Sequence, residues 1–176
     1  VARDITEQKR SVIQLQLDQS MSRMAGRLAR IGSWRFDIAT ETLIWSEQVR
    51  AIHETPANFT PTVADGVNFY IPEVREDIRA TFLACVREGT AFDRELPIIT
   101  ARNRRLWVRV IGEAARDDRG VIVQVHGAFQ DINDRKRAEE QTRQLAERLT
   151  TTLESITDAF LTIDRTWHFT FLNREA

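Results

Sequence analysis

The sequence predicts an α+β domain, an antiparallel sheet with helices on one face, flanked by N- and C-terminal coiled-coil-like helices. Three observations predict it. Two runs of alternating apolar and polar residues meet at the turn "ATET". Three more such runs follow a Pro-started helix, with no crossover helix between them. Charged stretches with apolar residues at heptad-like spacing stand on both sides. Strands joined without a crossover helix turn back on one another, so the last three form an antiparallel meander.

The elements follow in chain order. From Lys9 to Ile31 there is no Pro and one Gly, and Leu17, Met21, Met24, Leu28 and Ile31 keep the 4-3-4-3 spacing of a helical seam. "SWRFDI" and "TLIWS" form a hairpin, and "SEQVRAIHE" a short helix with Ser46 as its N-cap. "ADGVNFYI" is one helical turn or two after a Pro-marked loop. Pro72 opens a long helix from the favoured first position, with Glu73, Glu76 and Asp77 in its first turns. Val74, Ile78, Phe82, Cys85 and Val86 make its apolar stripe, and Gly89 ends it. "AFDRELPIITA", "RLWVRVIGEAA" and "VIVQVHGAFQDI" are the three last strands, divided by "RNR" and "DDRG". A second heptad-like helix runs from Arg135 to about Ser155, with Leu145, Leu149 and Leu153 among charges.

Composition narrows the function. The 176 residues are 42% hydrophobic and 29% charged, enough apolar material for one core. A net charge of −1 gives no argument for nucleic acid or an anionic membrane, and no apolar run nears the roughly 20 residues that span a bilayer. The start "VARDITEQKR" lacks the apolar middle of a secretion signal. A lone Cys85 excludes an internal disulfide and a CxxC motif, so a reducing, cytoplasmic setting is expected.

The chain also repeats itself. "DITEQKR" from Asp4 and "DINDRKR" from Asp131 stand 127 residues apart, and Asp37 falls on Asp164 at the same offset. Two landmarks at one offset argue for duplication. Each aspartate of the first pair precedes its partner hairpin by 33 residues, a constant helix length and hence a constant reach and rotation.

"RLWVRVIGEAARDDRGVIVQVHGAFQDINDRKR" resembles a PAS domain with its C-terminal PAC motif, the kind found in bacterial sensor histidine kinases and cyclic-di-GMP enzymes. The resemblance rests on Trp107, the turn from Asp117 to Gly120, Gly127, and the run from Asp131 to Lys136. At the other end it rests on Gly32, Trp34, Asp37, Trp45 and Ser46. It covers about residues 28 to 137. Departures include Ile71-Pro72-Glu73-Val74 at the long helix's start, Asn103 for a turn Gly, and Pro97 for an Arg. The resemblance implies five strands in the order 2-1-5-4-3, which puts Pro97 on an edge strand, where Pro is allowed. It also implies a division of the chain. Residues 1–10 end a preceding PAC motif, and 11–30 are a helical linker. Residues 31–134 are the PAS/PAC sensor domain, 135–155 a second linker, and 156–176 the truncated start of a following PAS domain. That tail is expected to be disordered or to borrow a partner, since a lone hairpin is marginal in water.

No catalytic constellation is present: no phosphate-cradling Gly loop, no defensible acid–base pair, no metal-spaced histidines. "RNRR" at 102–105 reads as a soluble hairpin tip, and nucleic acid is not an expected partner. The ligand or cofactor is unknown. Haem-binding members of the family supply a His from the long helix, which here has none, so haem is not expected. Covalent flavin needs a Cys before that helix, whereas Cys85 lies on its apolar face as a core residue.

The resemblance implies a cavity between sheet and helices for a small, largely apolar ligand. Its candidate lining is Trp45, Phe69, Ile78, Phe82, Leu96, Ile98, Val108, Val110, Val125 and Phe129, with His53 either reaching in or serving as a surface or core histidine. Strand alternation puts His126 on the opposite face, under a flanking helix. The relay candidates are Trp107, Asp131, Ile132 and Asn133. Asp131 would bond near Trp107, to Arg105 or Arg109, or cap the outgoing helix; the two roles can coexist.

The expected function is a non-catalytic sensory and relay module of a multidomain bacterial signalling protein, a histidine kinase or diguanylate cyclase. It would bind a small ligand and signal through homodimeric linker helices, with no membrane insertion of its own. The alternative is a ligand-free dimerisation and spacer module. An adventitious small molecule retained by the protein favours the first reading, and a solid core with no cavity of about 100 Å³ or more the second.

Overall fold

The computed structural model describes residues 12–14, 17, 20, 21, 24–155, 159 and 161–172. The first phrase of the repeat, with Asp4, lies outside them. The chain forms two compact units, one through Asn133 and one from Asp134.

In the first unit the described residues from 12 to 28 are helical, and a turn at Ala29 and Arg30 ends the helix, Arg30 taking a left-handed φ of 51°. Leu17, Met21, Met24 and Leu28 are all exposed. Ile31, the last member of the expected seam, instead opens β1 (Ile31–Asp37), because the helix has already ended at this turn.

The remaining elements are β2 (Thr42–Trp45), α1 (Glu47–His53), α2 (Val63–Asn68), α3 (Pro72–Glu88), β3 (Phe92–Ile99), β4 (Arg105–Arg116) and β5 (Ile122–Asp131). The five strands form one antiparallel sheet in the order β2-β1-β5-β4-β3. Local chemistry sets each helix. Ser46 Oγ accepts from the Val49 N–H at the start of α1. Thr62 and Asp65 close a reciprocal capping box on α2. Pro72 takes the first position of α3, and Gly89 ends it in the left-handed conformation at φ 81°. Asn103 takes the same conformation in the β3–β4 turn.

Alternation sends Trp34 and Phe36 of β1, Val108 and Val110 of β4, and Val125 and Phe129 of β5 to the helical face, where all are buried. His126 points to the other face and is exposed there, not covered by a helix as the sequence suggested. Pro97 does sit on the edge strand, and that edge is covered by the segment after α2. Ile99 N–H donates to Phe69 O at 2.7 Å, and Ile71 N–H to Pro97 O at 3.3 Å. Cys85 is fully buried in the core.

Two glycines set how closely the layers approach. A Cβ on Gly32 would lie 2.6 Å from both the backbone N and Cγ2 of Val49, so only Gly lets α1 rest on β1. A Cβ on Gly127 would lie 1.8 Å from the Ile111 carbonyl oxygen, inside the β4–β5 ladder.

In the second unit, α4 (Asn133–Glu154) exposes Leu145 and Leu149. β6 (Leu161–Ile163) and β7 (Phe169–Leu172) pair as a hairpin. The register explains why: Asp164 Oδ1 accepts from the N–H and hydroxyl of Thr166 and from the His168 N–H, which closes the turn internally. Asp37 plays the same part between β1 and β2, accepting from the N–H and hydroxyl of Thr40.

Gly32→Ala is expected to lower stability by about 2 kcal/mol in urea unfolding, and Gly127→Ala by more, because its clash is with backbone on a neighbouring strand. An unchanged midpoint in either variant contradicts the close approach described.

Candidate functional site

A small apolar cavity of about 70 Å³ lies between the sheet and the helices. All five strands of the sheet and the helices α1, α2 and α3 contribute to it. Trp34 comes from β1, Leu43 and Trp45 from β2, and His53 from the last turn of α1. Val63, Gly66 and Val67 of α2 and Tyr70 close one side, Ile78 and Phe82 of α3 another. Phe92, Val110 and Phe129 form the floor from β3, β4 and β5.

Of the residues expected from sequence, Trp45, His53, Ile78, Phe82, Val110 and Phe129 line this space. Phe69 stands behind it, its ring centroid 4.7 Å from His53 and 6.0 Å from Trp45. Leu96, Ile98, Val108 and Val125 share the helical face but pack into the core away from the cavity. Alternation fixes which face a side chain takes, and says nothing of how far along the strand the cavity extends. The sequence reading missed Trp34, Leu43, Val63, Gly66, Val67, Tyr70 and Phe92. Trp34 was legible as the inward neighbour of Gly32, and Phe92 by alternation from Ile98; Tyr70 carried no periodic signal.

His53 is the polar centre of an aromatic cage. Its ring stacks on Trp45 at 4.2 Å and meets Phe129 at 4.7 Å. Nδ1 lies 2.9 Å from the Val49 carbonyl oxygen, which can only accept, so Nδ1 carries the proton and Nε2 the lone pair. Burial pulls the imidazole down to about 4, against the opposing pull of the Val49 bond. The ring is therefore neutral at pH 7.

The end of α1 is clipped to the β3–β4 turn. Ala101 N–H donates to His53 O at 2.9 Å. Glu54, left-handed at φ 57°, accepts from Thr100 Oγ1 at 2.6 Å and Arg104 Nη1 at 2.7 Å. The Thr100 hydroxyl, then the Arg104 guanidinium, holds its carboxyl below the usual carboxylate range. The basic tip at 102–105 thus serves in part as an intramolecular tether.

The relay candidates cluster where β5 ends. Ile132 N–H donates to Trp107 O at 3.0 Å, and Ile132 and Asn133 are buried. Asp131 Oδ1 accepts from the Asn133 N–H at 2.9 Å, the capping role. Its arginine partner is Arg30, at 3.4 Å from Oδ2, and Asp131 N–H donates to Arg30 O at 3.1 Å. Arg105 and Arg109 were the expected partners, but Asp131 pairs with Val108 in register and shares its face, opposite to theirs. Arg109 instead makes a two-pronged pair with Asp93. The chain entering β1 and the chain leaving β5 are thereby bonded to each other.

Comparison with known proteins agrees with this architecture. A family described as PAS fold matches residues 42–129, half of the chain. The sensor protein FixL of Bradyrhizobium diazoefficiens is 26% identical over 138 residues, 76% of this chain and 26% of FixL. The probable diguanylate cyclase DgcE of Escherichia coli is 25% identical over 171 residues, 97% of this chain and 15% of that protein. The chain therefore spans about a quarter or less of the curated relatives it matches. A crystal structure of a sensory box histidine kinase/response regulator from Burkholderia thailandensis shares the fold. It has a TM-score of 0.57 at 23% identity, over 72% of this chain and 95% of that one.

Two pH effects follow. His53 binds its proton more weakly folded than unfolded, so between its ordinary 6.5 and about 4 the unfolded state holds more protons. Stability should fall as pH drops through that window, by about 3 kcal/mol relative to His53→Phe in urea titrations at pH 7 and pH 4. Parallel slopes in the two proteins contradict a buried neutral imidazole. Glu54 adds a contribution fully present above about 4.5 and lost as pH falls through its lower folded value. The stability difference between wild type and Glu54→Gln should shrink over that range, and a pH-independent difference argues against the Thr100–Arg104 clip.

Proposed function

The chain belongs to the PAS fold family, and from that premise we propose that it is a sensory and signal-relay module of a larger signalling protein. One observation carries the reading: the cavity wall and the exit anchor lie on one strand. Phe129 of β5 lines the cavity, and Asp131, two residues on, bonds both Arg30 and the start of α4. An occupant that favours one position of β5 over another thereby biases both chain ends at once, as only differential affinity can. Among the proteins named above, the sensory box histidine kinase and the probable diguanylate cyclase support a histidine kinase or a diguanylate cyclase as the parent.

The domain division proposed from sequence is retained. Residues 31–134 form the PAS/PAC unit, linkers occupy 11–30 and 135–155, and neighbouring sensor domains contribute 1–10 and 156–176. The like turns at Asp37 and Asp164 support the duplication. Uncovered apolar residues on both linker helices support a homodimer through them, and a cytoplasmic setting accords with no described helix being long and apolar enough to cross a membrane. A second reading, a spacer with no ligand, draws on the cavity's size: about 70 Å³ is under half the roughly 150 Å³ that holds benzene.

Gly66→Ala tests the relay. Its methyl would enter the cavity wall 3.6 Å from Leu43 and Trp45, an ordinary contact. Amide exchange at Ile132 should change several-fold beyond any shift in global stability. Unaltered exchange there favours the spacer. The dimer is tested by light scattering: wild type should run at twice the monomer mass, and the Leu145→Asp/Leu149→Asp variant as a monomer. A monomeric wild type rules out this seam.

A further inference from the structure

The cavity holds two polar groups that the protein itself leaves unanswered. His53 is 1% exposed, and its one hydrogen bond runs through Nδ1, which leaves the Nε2 lone pair without a partner among the described residues. Tyr70 is 5% exposed, and its hydrogen bonds run through its backbone, with Val67 and Arg75. Burial raises the phenol's pKa with no hydrogen bond to offset it. Both side chains line the same small space, whose other walls are hydrocarbon and aromatic. With no protein partner described for either side-chain group, a hydroxyl inside the cavity gains hydrogen bonds that the chain does not make by itself.

We propose that the cavity takes a small uncharged alcohol, whose hydroxyl donates to His53 Nε2 and accepts from the Tyr70 hydroxyl while its alkyl part meets the apolar walls. This rests on the reading of the cavity as a ligand site. One oxygen that both donates and accepts satisfies both groups in the least volume. A space of about 70 Å³, against roughly 150 Å³ for benzene, sets the size at about three or four heavy atoms. Carboxylates and ammonium ions are excluded, because no charged side chain lines the cavity to receive them. The neutral imidazole is the state such a donor requires.

The test uses the ¹⁵N-labelled chain with 1-propanol as the probe, and xenon under pressure to fill apolar space without hydrogen bonding. Propanol should shift the His53 Nε2 resonance saturably, and Tyr70→Phe should weaken its binding about three- to tenfold while still admitting xenon. Xenon entering while propanol leaves Nε2 unmoved makes water the third group and overturns the inference, with the ligand site intact. Equal propanol affinity in wild type and Tyr70→Phe overturns it too. Exclusion of both probes removes the ligand site and the inference together. Should Tyr70→Phe fail to fold, the wild-type Nε2 shift alone decides.

Discussion

The bonds of Asp131 are the constraint on which the rest depends. The strand order places β5 in the middle of the sheet, so the chain leaves the domain from its central strand. Its neighbour β1 starts where β5 ends, with Ile31 opposite Gln130. One carboxylate at that point meets three demands. It joins the incoming chain at Arg30, satisfies the Asn133 N–H, and lets Ile132 turn back to Trp107. A charge-assisted pair that is half exposed on the arginine side contributes little energy alone. Its value is geometric, since one residue bonds both the chain entering β1 and the residue that follows Ile132.

The core behind that clasp is built from unusually large rings, and its geometry follows from what they displace. Gly32 admits α1 against β1, and α1 in turn delivers His53 beneath Trp45. The imidazole loses solvation and regains one hydrogen bond and three aromatic neighbours. Glu54 then pins the same helix end to the β3–β4 turn through Thr100 and Arg104. The cavity is the gap that remains among rings from β1, β2, α1, α3, β3 and β5, several of which touch one another around it. Its small size makes a bulky cofactor a poor fit to this arrangement.

The fold was largely legible in the sequence because period-2 alternation, Pro72, Gly89 and Ser46 each have a local cause that tertiary packing did not override. Alternation also placed Phe129 and Val110 on the right face. It overreached at Leu96, Ile98, Val108 and Val125, where facing inward meant packing and not lining. The cavity's other wall comes from Val63 to Tyr70, too short a stretch for a periodic signal. The partner of Asp131 was missed for a different reason. The expected arginines lie close in sequence register but on the opposite face, whereas Arg30 reaches it through the β1–β5 ladder, a contact over 101 residues.

The claim that the cavity and the exit are mechanically one is open to direct measurement. The Ile132 N–H donates to the Trp107 carbonyl, and the scalar coupling across that hydrogen bond reports its length in solution. The account predicts that the coupling changes as xenon saturates the cavity. A coupling that stays constant while cavity side chains register the xenon would contradict it.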